Sequence, residues 1–102
     1  MGKAKLNLPH QKITDFCKKN HIIRLSLFGS VLRDDFQMDS DIDFLVEFEP
    51  AKVPGLIRLC RMQRELSELL DGRKVDLRTP QELSKYFRDE VLAQAEVQYA
   101  AA

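Results

Sequence analysis

Apolar residues recur along this chain with two different periods, and each change of period marks a boundary between elements. Ile13, Phe16 and Cys17 recur at helical spacing behind Pro9, a residue suited to a first helical turn. The pattern predicts a helix from about Pro9 to Lys19, with Asn20 as a left-handed stop. From Ile22 to Phe28 the period falls to two, with Ile23, Leu25 and Leu27 on one side, and this strand signal ends abruptly at Gly29-Ser30. Val31 to Ser40 is polar and acidic, with room for one helical turn near Val31 to Arg33. A second strand is expected from Asp41 to Phe48. It puts Ile42, Phe44, Val46 and Phe48 on one face and Asp41, Asp43, Leu45 and Glu47 on the other.

After a loop from Pro50 to Gly55, a helical stripe of Leu56, Leu59, Cys60, Gln63, Leu66, Leu69 and Leu70 runs to Gly72, and Gln63 is its only polar member. Lys74 to Leu77 reads as a short strand that sends Val75 and Leu77 one way and Asp76 the other. Thr79-Pro80-Gln81-Glu82 combines an N-cap, a proline at the first helical position and a capping-box glutamate. Helical structure is expected from there to about Tyr99, with a break near Arg88. Tyr99 suits either a core or an interface.

Length and charge narrow the possibilities. The 102 residues have room for one core, so a single domain over residues 1–102 is expected. Sixteen basic and sixteen acidic side chains cancel, which makes nonspecific nucleic-acid binding a poor expectation. No stretch resembles a signal sequence or a membrane span, and the reading is cytoplasmic. Cys17 and Cys60 both fall on apolar helical positions, as reduced, buried thiols would. His10 and His21 lie at no ligand spacing from either, which argues against structural zinc and places both histidines at the surface. Arg58, Arg61 and Arg64 form a charged stripe, but Arg61 with Glu65 and Arg64 with Glu68 are spaced for pairing along one solvated helix face.

The chemistry lies in the aspartates and the turn that precedes them. Two aspartates one residue apart on a strand project both carboxylates from the same face, where they can share two metal ions. Asp41 and Asp43 have that spacing, and magnesium, a hard cation gripped by few carboxylates together with substrate phosphates, suits them. Asp76, on the polar side of the third strand, completes the set as a second-metal ligand and general base for an acceptor hydroxyl. Gly29-Ser30 offers backbone N–H groups and a hydroxyl to a triphosphate; Arg33 can neutralise departing pyrophosphate, and Ser40 can add a hydroxyl contact.

Nine aspartates in the chain yield about one Asp-x-Asp by chance, so that element alone decides nothing. Gly-Ser closing one apolar strand, then Asp-x-Asp opening another after ten residues, is expected in about one random chain in several hundred. Leu27-Phe28-Gly29-Ser30, Asp41-Ile42-Asp43-Phe44-Leu45-Val46 and Val75-Asp76-Leu77 resemble the minimal nucleotidyltransferases of the DNA polymerase beta superfamily, in particular their antitoxin branch. The resemblance implies an α/β (α+β) nucleotidyltransferase fold, a small mixed β-sheet flanked by helices. It further implies an enzyme that attaches AMP from ATP to a tyrosine of a HEPN-domain ribonuclease toxin and so silences it. Under it, Gly29 and Ser30 match the phosphate turn, Asp41 and Asp43 the metal pair, and Asp76 the third carboxylate. One departure is visible: where members often carry glycine after the arginine matched by Arg33, this chain has Asp34 and Asp35.

Two other classes fit part of the pattern. A small-molecule transferase, such as an antibiotic-modifying enzyme, needs an acceptor pocket that so short a chain has no added domain to form. A purely steric antitoxin has no use for three aligned carboxylates, whose mutual repulsion costs stability.

Overall fold

The computed structural model describes residues 8–29, 41–83 and 85–101, and only the backbone of residues 85–87. Helix α1 (His10–Lys19) leads into strand β1 (Ile22–Phe28), and β2 (Ile42–Phe48) follows. Helix α2 (Leu56–Leu69) precedes β3 (Val75–Arg78), and the described chain closes with α3 (Lys85–Gln94) and β4 (Glu96–Ala100). The four strands form one sheet in the order β3-β2-β1-β4. β1 runs antiparallel to both β2 and β4, whereas β2 and β3 are parallel, so the sheet is mixed. A parallel pair cannot be joined by a hairpin, and α2 supplies the crossover.

Helices α1 and α2 cover one face of the sheet. Ile13, Phe16 and Cys17 from α1 and Met62 and Leu66 from α2 bury themselves against Leu25, Leu27, Ile42, Phe44, Val46, Val75 and Leu77. The alternation in β2 holds as expected: Ile42, Phe44, Val46 and Phe48 all enter this core, and Leu45 is buried from the other face. Desolvation among these side chains pushes the Cys17 thiol up to about 12, so it stays a neutral, buried hydrophobe.

Several local expectations are corrected. Ile23 is exposed and Ile22 buried, because a register irregularity between Ile22 and Arg24 shifts the alternation at the start of β1. The left-handed residue after α1 is His21 (φ 58°), not Asn20; Asn20 instead turns its side-chain amide back to donate to the Phe16 carbonyl at 2.8 Å. In α2 the buried stripe runs through Met62, so Leu56 and Cys60 face solvent, and only one of the two cysteines is buried. Glu65 pairs with Lys19 of α1, which joins the two helices rather than decorating one.

The largest difference is at the C-terminal end. The Thr79 capping box forms, but it opens a single 3-10 turn, Pro80–Glu82, and α3 begins only at Lys85. Beyond Gln94 the chain leaves the helix and Glu96–Ala100 pairs along the side of β1 not used by β2, with Leu25 opposite Tyr99 and Ser26 opposite Val97. Alanine, glutamine and glutamate favour a helix locally, yet the N–H and C=O groups of β1 need partners on that side and tertiary pairing prevails. Tyr99 accordingly packs, partly buried, against the core.

Candidate active site

The face of the sheet opposite the α1–α2 core carries the carboxylates. Because Val75 and Leu77 of β3 point into the core, Asp76 between them projects from the other side, and Asp43 does the same from β2 between Ile42 and Phe44. The parallel register sets Asp43 directly beside Asp76. Neighbouring strands lie about 4.8 Å apart, so two half-buried carboxylates share one small region of the sheet. Asp41 stands one residue ahead of β2 and is exposed. The following residue, Ile42, donates its N–H to the Lys74 carbonyl at 2.9 Å, which ties this corner of β2 to the start of β3.

On the other flank, β1 places Phe28 opposite Asp43, and the next residue, Gly29, turns the chain with φ 78°. An added Cβ at Gly29 would lie 2.5 Å from Asp43 Oδ2. Only a residue without a side chain allows the backbone to approach the carboxylate this closely, and the positive φ independently favours glycine. The expected phosphate turn and the expected metal ligand are therefore in direct contact across two strands. Ser30, Arg33 and Ser40 lie outside the described residues.

One residue of this region escapes a reading by motif. Arg78, two positions after Asp76 and on the same side of β3, donates through Nη2 at 2.9 Å and through Nε at 3.2 Å, both to Asp76 Oδ2. The hydrogen bond and charge of Asp76, followed by the charges of Glu82 and Asp43, raise the Arg78 pKa and keep its guanidinium protonated. The signal was present as period-two spacing from an aspartate, but its meaning depends on knowing that β3 lies beside β2. With the Arg78 side chain 50% exposed, this pair is worth at most about 1 kcal/mol.

Hard carboxylate oxygens beside a close-approaching glycine backbone fit a magnesium–phosphate complex. Among the described residues no three His, Cys, Asp or Glu side chains form a preformed cage. Magnesium does not demand one, since it retains water and takes ligands from phosphates. Competition from Arg78 is the simplest check on this geometry. Arg78→Ala is expected to tighten binding of manganese, used as a probe ion, by up to about fivefold at low salt and less at high salt. Titration followed by electron paramagnetic resonance measures this, and weaker binding would mean that Arg78 assists the site rather than opposing a cation there.

A separate cleft of about 520 Å³ lies between the end of α1 and the first half of α2, lined by Asn20, Ile57, Arg58, Arg61, Met62 and Glu65. It includes none of the three aspartates, and no helix among the described residues is long and apolar enough to cross a membrane.

Known proteins share this arrangement of elements. The chain matches the family described as polymerase beta, nucleotidyltransferase over residues 11–101. It is 37% identical over 90 residues to a candidate protein adenylyltransferase of Methanocaldococcus jannaschii, covering 88% of this chain and 94% of that relative. Among solved structures, it is similar to a candidate minimal nucleotidyltransferase with a TM-score of 0.69 at 32% identity, covering 84% of this chain and 85% of the other. It is also similar to a chain from a toxin-antitoxin crystal structure with AMP-PNP, with a TM-score of 0.72 at 25% identity, covering 92% of this chain and 75% of the other.

Proposed function

Because this chain belongs to the polymerase beta nucleotidyltransferase family, we propose that it is a magnesium-dependent protein adenylyltransferase that silences a HEPN-domain ribonuclease toxin by attaching AMP from ATP to a tyrosine hydroxyl. The observation that carries this reading is the register of Asp43 beside Asp76, with Gly29 closed onto Asp43. The relative named as a candidate protein adenylyltransferase and the toxin-antitoxin structure with AMP-PNP support both the nucleotide and the kind of acceptor.

The residues divide the work as follows. Asp41, Asp43 and Asp76 would hold magnesium, which when bound supplies the positive charge that a triphosphate under attack requires. Gly29 and Ser30 take the phosphates through backbone N–H groups and a hydroxyl, and Arg33 and Ser40 add contacts to the same ligand. Asp76 accepts the proton of the tyrosine hydroxyl as its oxygen forms a bond to the α-phosphorus. The bond from that phosphorus to the bridging oxygen breaks, and pyrophosphate departs with the electron pair. Arg78 directs both of its hydrogen bonds to Oδ2 of Asp76, which leaves Oδ1 outside its grip.

A steric antitoxin is the reading to exclude, and separation of the two proteins distinguishes it from an enzyme. Toxin purified away from the wild-type chain is expected to carry the added mass of AMP and to stay inactive as a ribonuclease. Toxin purified away from Asp76→Asn is expected to be unmodified and active, although that variant still binds nucleotide. Inhibition that follows mass action and vanishes on dilution, with no mass added by the wild type, would defeat the enzymatic reading.

A further inference from the structure

Gln63 is the one polar residue in the apolar stripe of α2, and nothing in the proposed chemistry uses it. Its side chain is half-buried between Met62 and Leu66 on a helix packed against β3, and its Oε1 accepts the backbone N–H of Leu77 at 3.0 Å. Among the described strands β3 lies at the edge, with β2 beside it. In a parallel ladder alternate residues turn their N–H groups toward the neighbouring strand. With Ile42 bonded to Lys74, the N–H of Leu77 belongs to the free side. A short edge strand of four residues is prone to fray on that side, and there the Gln63 amide oxygen accepts the Leu77 N–H.

A second bond from α2 holds the other end of the strand. Ser67, one helical turn beyond Gln63, donates its hydroxyl to the carbonyl of Arg73 just before β3. The strand is thus bracketed by α2 at Arg73 and at Leu77, with Asp76 between the two fastenings. Asp76 itself is touched by neither. From this we infer that Gln63 is a positioning residue for Asp76: through Leu77 it holds β3 in the register that sets Asp76 beside Asp43. The inference rests on the adenylyltransferase reading for its catalytic consequence, but the fastening can be measured without it.

The experiment compares wild type, Gln63→Met, Gln63→Glu and Asp76→Asn in the full chain. Methionine keeps the length and packing and removes the acceptor; glutamate keeps an acceptor oxygen. In Gln63→Met, amide exchange at Leu77 is expected to accelerate at least about fivefold, the value of one lost hydrogen bond, while exchange at Leu45, whose N–H turns toward β1, stays unchanged. Manganese affinity, measured with the metal alone, falls severalfold. The rate constant kcat for AMP transfer falls about tenfold with little change in KM for ATP, because a displaced base slows the chemical step more than it weakens nucleotide binding. Gln63→Glu restores the Leu77 protection and kcat. Unaltered exchange at Leu77 in Gln63→Met would overturn the proposal, as would faster exchange with wild-type manganese affinity and kcat. Wild-type values for both in Asp76→Asn would instead overturn the role given to Asp76, whatever happens at Leu77, and the proposed positioning would fall with it.

Discussion

Asp43→Asn is expected to lower AMP transfer by at least about a thousandfold, since under the proposed mechanism it loses a metal-holding carboxylate and with it several kcal/mol of charge stabilisation of the reacting phosphate. The fold should survive the change. Asp43 lies beside Asp76 in the sheet, and replacing one of two neighbouring carboxylates by its neutral isostere relieves repulsion without changing shape. The melting temperature should therefore match or exceed that of the wild type in the absence of metal. Addition of magnesium should raise it in the wild type and leave the variant almost unmoved, because only the form that binds a ligand gains from it. Single-turnover transfer of labelled AMP and paired melting curves check both halves. Transfer at the wild-type rate by Asp43→Asn would show that Asp43 is not in the metal site.

Gly29→Val is expected to eliminate measurable binding of a nonhydrolysable ATP analogue. Two independent physical effects act at this position. A φ of 78° strains any β-branched side chain by about 1–3 kcal/mol, and its Cβ would press to within 2.5 Å of Asp43 Oδ2. Relief requires either the turn or the carboxylate to move, and under the proposed mechanism each is part of the site. Loss of binding should accordingly be accompanied by weaker affinity for manganese alone, which distinguishes displacement of Asp43 from simple obstruction of the phosphate path. Calorimetric titration with the analogue, and separately with manganese, tests the two contributions. Equal affinity for the analogue in wild type and Gly29→Val would remove the phosphate cradle from the mechanism.

Local pattern was sufficient for the first three strands and the first two helices because each carries its own hydrophobic period, and period is a property of neighbouring residues. Ile42, Phe44, Val46 and Phe48 announce both a strand and its buried face, and Asp43 then has to point away from the core. The turn at Gly29 was legible for the same reason, since glycine marks a positive-φ turn within a short stretch, and the Asp-x-Asp at the head of β2 stands out in the same way. The strand Glu96–Ala100 was not legible. Its composition favours a helix, and what makes it a strand is the unpaired side of β1, about seventy residues earlier.

Faces follow from periodicity, but neighbours do not. That Asp76 projects away from the core follows from Val75 and Leu77. That it stands beside Asp43 depends on the chain crossing back through α2 so that β3 pairs parallel with β2, with Met62 and Leu66 packed on the sheet. The partners of Asp76 and Leu77 belong to the same category. Arg78 is an unremarkable cation on an edge strand until its guanidinium is seen on Asp76, and Gln63 is a flaw in an apolar stripe until its oxygen is seen on Leu77. Residue types and their spacing thus named the groups to which the proposed chemistry is assigned. Only long-range pairing, which a one-dimensional period cannot encode, decided which of them meet.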